Sequence, residues 1–204
     1  MSQRFSWLNR FAHCVVLLSL VGLSQQAWAA SAQEKLEAEM RGLNTRYILV
    51  GPQGGAISDE DFRGRFQLIT FGYTFCPDVC PTTLAEMTTV LNALGEQAAK
   101  IQPIFITVDP ERDTPSVLKT YVQFFDPRII GLTGNPGTIK RIAQNYKVRY
   151  ARVKVRGSED GHYVVDHTAG MFLLGPDGRL IRKFAYGRPV EQLVQDIKAI
   201  LQQP

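Results

Sequence analysis

Two kinds of apolar pattern alternate along this chain. "FQLITFGY", residues 66–73, and "QPIFITVD", residues 102–109, are continuous β-rich runs that predict two buried strands. Between them, from Pro81 to about Ala99, Leu84, Met87, Val90, Leu91 and Leu94 recur at helical spacing and share one face. The alternation then continues. "DTPSVLKTYVQFFD" (113–126) predicts a helix with Asp113 or Thr114 at its N-cap and Pro115 just inside. "IIGLTG" predicts a short strand, "NPGTIKRIAQNYKV" a helix opened by a cap-then-proline signature, and "RYARVKV" a strand. "GSEDG" reads as a turn. "YVVDHTAGMFLLGPDGRLIRKFAYG" predicts a hairpin turning at "GPDG", and "PVEQLVQDIKAILQQ" a closing amphipathic helix. Upstream, "RYILVGPQGGAISDEDFRGRF" predicts two short strands around a Gly-rich turn, then a turn of helix near Ser58–Phe62.

Strands alternating with helices argue for an α/β sheet, and the late hairpin adds an antiparallel edge. No linker, repeat or low-complexity stretch interrupts residues 45–204, which read as one domain. A thiol pair on the loop between a central strand and its helix, with a β-hairpin later, is the layout of a thioredoxin-like fold, a sheet flanked by helices.

The start of the chain has a different character. Residues 1–29 read as a cleavable secretory signal peptide. Arg4 and Arg10 form a basic region, "CVVLLSLVGL" an apolar run, and "AWA" a small-x-small site with cleavage after Ala29. The apolar run is shorter than the roughly 20 residues a membrane helix needs, so no stable membrane anchor is expected. The alternative is an uncleaved anchor that holds the domain at the inner membrane, facing the periplasm. Residues 30–44 are charged and helix-permissive and read as a lead-in. The expected location is the periplasm.

Cleavage changes the inventory. It removes His13, Cys14, Trp7 and Trp28, and with Arg4 and Arg10 it lowers the net charge of +4 by two. Composition is that of a globular protein, 45% hydrophobic and 21% charged. The charge is too mild and too scattered to argue for nucleic acid.

The remaining cysteines, Cys76 and Cys80, lie in "TFCPDVCPTT". In an oxidising compartment the default for two cysteines is a structural disulfide. The position argues for more. Cys76 is placed on the loop leaving the strand and Cys80 at the helix start, where unpaired N–H groups favour a thiolate. The CxxxC spacing lets the sulfurs meet in a disulfide, or splay and hold one metal ion. Two thiolates are soft donors and select Cu(I) over hard cations, whereas a structural zinc site usually takes four protein ligands. His167, in "VVDHTAG", is far from Cys80 in sequence, so only the fold can unite them. From the residues alone it is equally a histidine satisfied at a strand edge. His162 reads as solvated, and Asp166 as an orienter of His167 or a turn cap. In "VDPERDTP" Asp109, Glu111, Arg112 and Asp113 are either a charged rim of the site or a capped helix start with solvated ion pairs; Glu111 reads as solvated, and Asp109 and Arg112 stay open between the two. Tyr73 and Phe75 read as packing around it.

"TFGYTFCPDVCPTTLAEM", "QPIFITVDPERDTPSVLKTYVQFFDPRIIGLTG" and "VDHTAGMFLLGPDGRL", in this order, resemble the SCO/SenC family of copper chaperones. The resemblance covers about residues 45–202. It implies a thioredoxin-like fold with a β-hairpin insertion, and it places Cys76, Cys80 and His167 on the family's copper ligands. Two thiolates with an imidazole suit copper as Cu(I) and as Cu(II). It further implies a role in building the dinuclear copper centre of cytochrome c oxidase subunit II, or of another periplasmic copper acceptor, by delivering copper or reducing the acceptor's thiols. A metallochaperone of this kind is no turnover enzyme. The alternative is a periplasmic thiol–disulfide oxidoreductase, with Cys76 and Cys80 as a redox-active catalytic pair and a thiol–disulfide reductase as its partner. In that case His167 would be nearly dispensable.

Overall fold

Strand β3 (Phe66–Gly72) organises the domain in the computed structural model, which describes residues 42–154 and 162–202. The signal segment, most of the lead-in and the "GSEDG" turn lie outside the described residues. From Leu43 on, the described residues form one compact unit. β3 is apolar nearly throughout, and all but its first residue are buried, as the sequence run predicts. It pairs in parallel with the equally buried β4 (Ile101–Thr107) and antiparallel with β8 (Gly170–Leu174). β5 (Ile130–Leu132) and β9 (Leu180–Ala185) complete a mixed sheet of order β5-β4-β3-β8-β9.

Adjacent strand residues point to opposite faces. Phe71 therefore joins Phe172 and Tyr146 in an aromatic cluster on one face, while Phe105 meets Tyr121 on the other. Burying each such ring stabilises the fold by about 1.5–3 kcal/mol.

Helix α1 (Val79–Leu94) connects β3 to β4 and packs against α2 (Pro115–Phe125) and the closing α4 (Val190–Leu201). α2 leads from β4 to β5, and α3 (Pro136–Asn145) follows β5. The predicted caps of α2 and α3 are present: Thr114 accepts from the Val117 N–H and Asn135 from the Thr138 N–H. The arrangement is thioredoxin-like, an α/β sheet flanked by helices.

Three local expectations change. The first helix starts two residues before Pro81 and ends at Gly95, whose φ of 57° stops the α-helical turn, and a 3-10 turn carries the chain from Gly95 to Lys100. Pro81 is still in the first turn, where an N–H has no helical partner to lose. Asp113 is not a cap but is fully buried. Finally, the long hairpin stretch divides. β8 and β9 turn at "GPDG" as predicted, but Tyr163–His167 is a separate strand, β7, which among the described residues pairs only with β6 (Tyr150–Lys154). His167 thus ends a strand of a two-stranded ribbon and does not open the later hairpin. Gly170 makes the break possible: its φ is 127°, and a Cβ there would lie 2.4 Å from the Phe184 carbonyl oxygen. The small β1–β2 hairpin (Ile48–Val50 and Ala56–Ser58) is anchored by buried Asp59, which pairs with Arg46 and Arg63.

Candidate metal centre

The loop after β3 is held from below. The Asp113 carboxylate accepts from the Thr74 N–H at 3.1 Å and from the Thr74 and Thr107 hydroxyls at 2.6 Å each. Thr107 ends β4, so the first residue of the thiol loop is tied to the neighbouring strand. The Cys76 N–H then donates back to the Tyr73 carbonyl, which turns the chain toward α1. Asp78 is the N-cap of α1, but its exposed side chain makes no capping bond. Cys80 is the second residue of the helix.

Cys80 is buried, 2% exposed, against the end of β3. Gly72 makes room for it. A Cβ at Gly72 would stand 2.7 Å from the Cys80 sulfur and 2.8 Å from the Phe105 ring, so the thiol nests against bare backbone. Both cysteines are free thiols.

His167 arrives from the ribbon. Its Nδ1 lies 3.1 Å from the Thr168 carbonyl, and its Nε2 lies 3.3 Å from the Cys80 sulfur. A carbonyl only accepts, so Nδ1 carries the proton and Nε2 presents its lone pair to the thiol. Thr168, and not the exposed Asp166, orients the ring. Burial pushes the imidazole below its usual range, so it is neutral at pH 7.

Burial also pushes the Cys80 thiol up, well beyond the ordinary thiol range. This corrects the expectation of easy thiolate formation at that residue. Desolvation of the buried sulfur outweighs the helix N-terminus.

The ligand atoms of Cys76, Cys80 and His167 lie within 4.8 Å of one another. That is close to the spread one ion holds with bonds of about 2.0–2.3 Å. The donors fit copper: two soft sulfurs and one imidazole, with no carboxylate for a hard cation. Cys80 is the buried member of the set, while Cys76 and His167 are both partly exposed, and a groove of about 450 Å³ lined by Thr74, Ser116, Val117, Thr120 and Tyr121 opens beside the thiol loop.

Other expected residues fall around this core. His162 is exposed. Tyr73 is buried, and its hydroxyl accepts from the Val165 N–H at 3.1 Å. Phe75 is 59% exposed, with its ring under the Arg112 guanidinium. Asp109, which the sequence leaves open, is fully buried. It is paired with Arg112 and Arg152 and accepts from the Tyr163 hydroxyl at 2.8 Å. Glu111 is exposed and paired with Arg152 at 2.9 Å, as the solvated reading has it. Gly72, Thr107 and Tyr163 carry no signal in the sequence that would single them out. Their roles depend on contacts made across the fold.

Residues 36–202 match the SCO1/SenC family model. A SCO2-like protein of Rickettsia felis is 38% identical over 152 residues, 74% of this chain and 74% of that one. Bradyrhizobium japonicum ScoI, solved with copper bound, is 42% identical with a TM-score of 0.70, covering 78% of this chain and 99% of that one. BsSco, a member of the Sco family of cytochrome c oxidase assembly proteins in which a disulfide switch was identified, is 26% identical with a TM-score of 0.59, covering 79% and 95%.

Proposed function

The chain belongs to the SCO1/SenC family, and on that premise we propose that it is a periplasmic copper metallochaperone. It takes one copper ion on Cys76, Cys80 and His167 and passes it to the dinuclear copper site of cytochrome c oxidase subunit II. The observation that carries this reading is the convergence of two sulfurs and an imidazole nitrogen, from distant parts of the chain, within 4.8 Å. A structural disulfide needs no imidazole lone pair aimed at one sulfur.

The asymmetry of the ligands suits a carrier. Cys80 is buried, while Cys76 and His167 are both partly exposed. An acceptor can displace the two accessible donors and leave the ion attached to Cys80 until its own ligands close. Uptake displaces the Cys80 proton, because only the thiolate binds metal.

The test is a copper titration of the reduced protein followed by ultraviolet–visible absorption. The expected result is a sulfur-to-Cu(II) charge-transfer band that saturates at one copper per chain and collapses in His167→Ala. A silent spectrum with rapid thiol oxidation would overturn the reading.

A second reading rests on the two free thiols of Cys76 and Cys80 standing side by side. The dithiol would pass two electrons to an acceptor disulfide. One sulfur attacks the acceptor to form a mixed disulfide, the second displaces it, the two acceptor sulfurs leave as thiols with the two protons, and the pair closes as a Cys76–Cys80 disulfide. Turnover with a thiol donor, unchanged in His167→Ala, would favour it.

A further inference from the structure

Arg112 stands where three parts of the centre meet. Its guanidinium lies 4.8 Å from the ring centre of Phe75, the neighbour of Cys76, and 5.6 Å from that of Tyr73. It lies 3.8 Å from the ring centre of Tyr163, and Nη1 donates to the Tyr163 carbonyl at 3.1 Å. Nε pairs with one oxygen of Asp109, whose other oxygen takes the Tyr163 hydroxyl at 2.8 Å and Arg152 at 3.4 Å. Tyr163 is therefore gripped at its ring, its hydroxyl and its backbone.

Tyr163 opens β7 and His167 ends it. Residues 163, 165 and 167 share one face of the strand. Each makes contact toward the body of the domain: Tyr163 with Arg112 and Asp109, the Val165 N–H with the Tyr73 hydroxyl, and His167 with Cys80 and the Tyr73 ring. Among the described residues β7 pairs only with β6 and joins no ladder of the main sheet. Side-chain contacts, not sheet hydrogen bonds, seat the strand that carries the imidazole.

We propose that Arg112 is the positioning residue of the centre. It clamps the thiol loop, through Phe75, to the start of the ribbon strand, through Tyr163, and so sets His167 at Cys80 before metal arrives. The inference rests on the copper-site reading above. Arg112 does not touch the imidazole itself but reaches it along the strand and through Tyr73, whose ring centre lies 5.6 Å from the guanidinium and 6.0 Å from that of His167. A flat guanidinium is needed, because it stacks on rings while its edge donates. An ammonium keeps the charge for Asp109 but loses the stack and the fork.

The experiment compares wild type with Arg112→Lys, alone and in a His167→Ala background. In the reduced, copper-free protein, nuclear magnetic resonance should show cross-relaxation between the His167 ring and the Cys80 β-hydrogens, lost in Arg112→Lys. Cu(II) affinity should fall roughly 10–100-fold, the usual effect of removing a group that orients a ligand. In the His167→Ala background the same substitution should cost nothing further. Tyr163→Phe, which removes only the hydroxyl bond to Asp109, should give a smaller loss with the same non-additivity, and it stands in if Arg112→Lys does not fold. Retained ring contact and affinity in the variants, or an equal loss in the His167→Ala background, overturns the proposal. Seating is read without copper. A wild type that binds none therefore defeats the chaperone reading, while the ring contact still decides the role of Arg112.

Discussion

The Cys80 sulfur and the His167 Nε2 stand 3.3 Å apart, with the imidazole proton committed on the far side to Thr168. The lone pair points at the sulfur, into the space between the three side chains. The three ligands should then fail differently. Cys76→Ser and Cys80→Ser should each abolish tight binding of both copper states. His167→Ala should weaken Cu(II) more than Cu(I), since two thiolates satisfy the softer ion. Competition titrations with chelators for each oxidation state measure this, and equal retention by all three variants would sink the assignment.

Gly72→Ala should damage the centre without touching a ligand. Its Cβ would stand 2.7 Å from the Cys80 sulfur and 2.8 Å from Phe105, and no unusual φ is involved, so the effect is steric. Overpacking of this kind costs about 1–3 kcal/mol. The expected outcome is a lower denaturation midpoint together with weaker copper binding, read by urea unfolding and by titration. A variant with wild-type affinity would show that the sulfur has free space.

Asp113→Asn should loosen the thiol loop. The carboxylate is fully buried and receives the Thr74 N–H and two hydroxyls. An amide keeps the shape but accepts through one oxygen and turns its NH2 toward donors. Leaving such a group unsatisfied costs about 1–3 kcal/mol. Denaturation should show that loss, and alkylation of Cys76 should become faster.

Copper uptake should release protons and strengthen with pH. Burial raises the Cys80 thiol, so at neutral pH it is protonated, and the ion must displace that proton. Each proton released makes apparent affinity rise about tenfold per pH unit while the thiol stays protonated. His167 adds no further proton near pH 7, because burial lowers it and its free form already dominates there. Calorimetry in buffers of different ionisation enthalpy counts the protons. A pH-independent affinity would mean that Cys80 is already a thiolate.

Much of this is legible along the chain. The β3 and β4 runs, the face of α1 and the capped starts of α2 and α3 are local signals of apolar period and cap chemistry. The CPDVCP loop and the DHT histidine are legible through the family resemblance. Other features need the third dimension. Whether Asp109 and Asp113 are solvated or buried depends on Tyr163, Arg152, Thr74 and Thr107, none of which is a near neighbour of both. The state of the Cys80 thiol is set by how deeply it nests on Gly72, and a helix-start argument sees only one side of that balance. The split at Gly170 is hidden because β7 and β8 read as one apolar stretch.

The separation of 87 positions from Cys80 to His167 ties the cargo to the history of the chain. A folding intermediate with β3, the loop and α1 in place already has both sulfurs but lacks the nitrogen. The complete coordination set exists only once the ribbon has docked. An ion that prefers three donors therefore binds the finished protein over its precursors, and by mass action stabilises it. Each tenfold rise of free ion above the dissociation constant adds about 1.4 kcal/mol. A copper-starved cell would hold this protein nearer its unfolding threshold, and so within easier reach of proteases, than a copper-replete one.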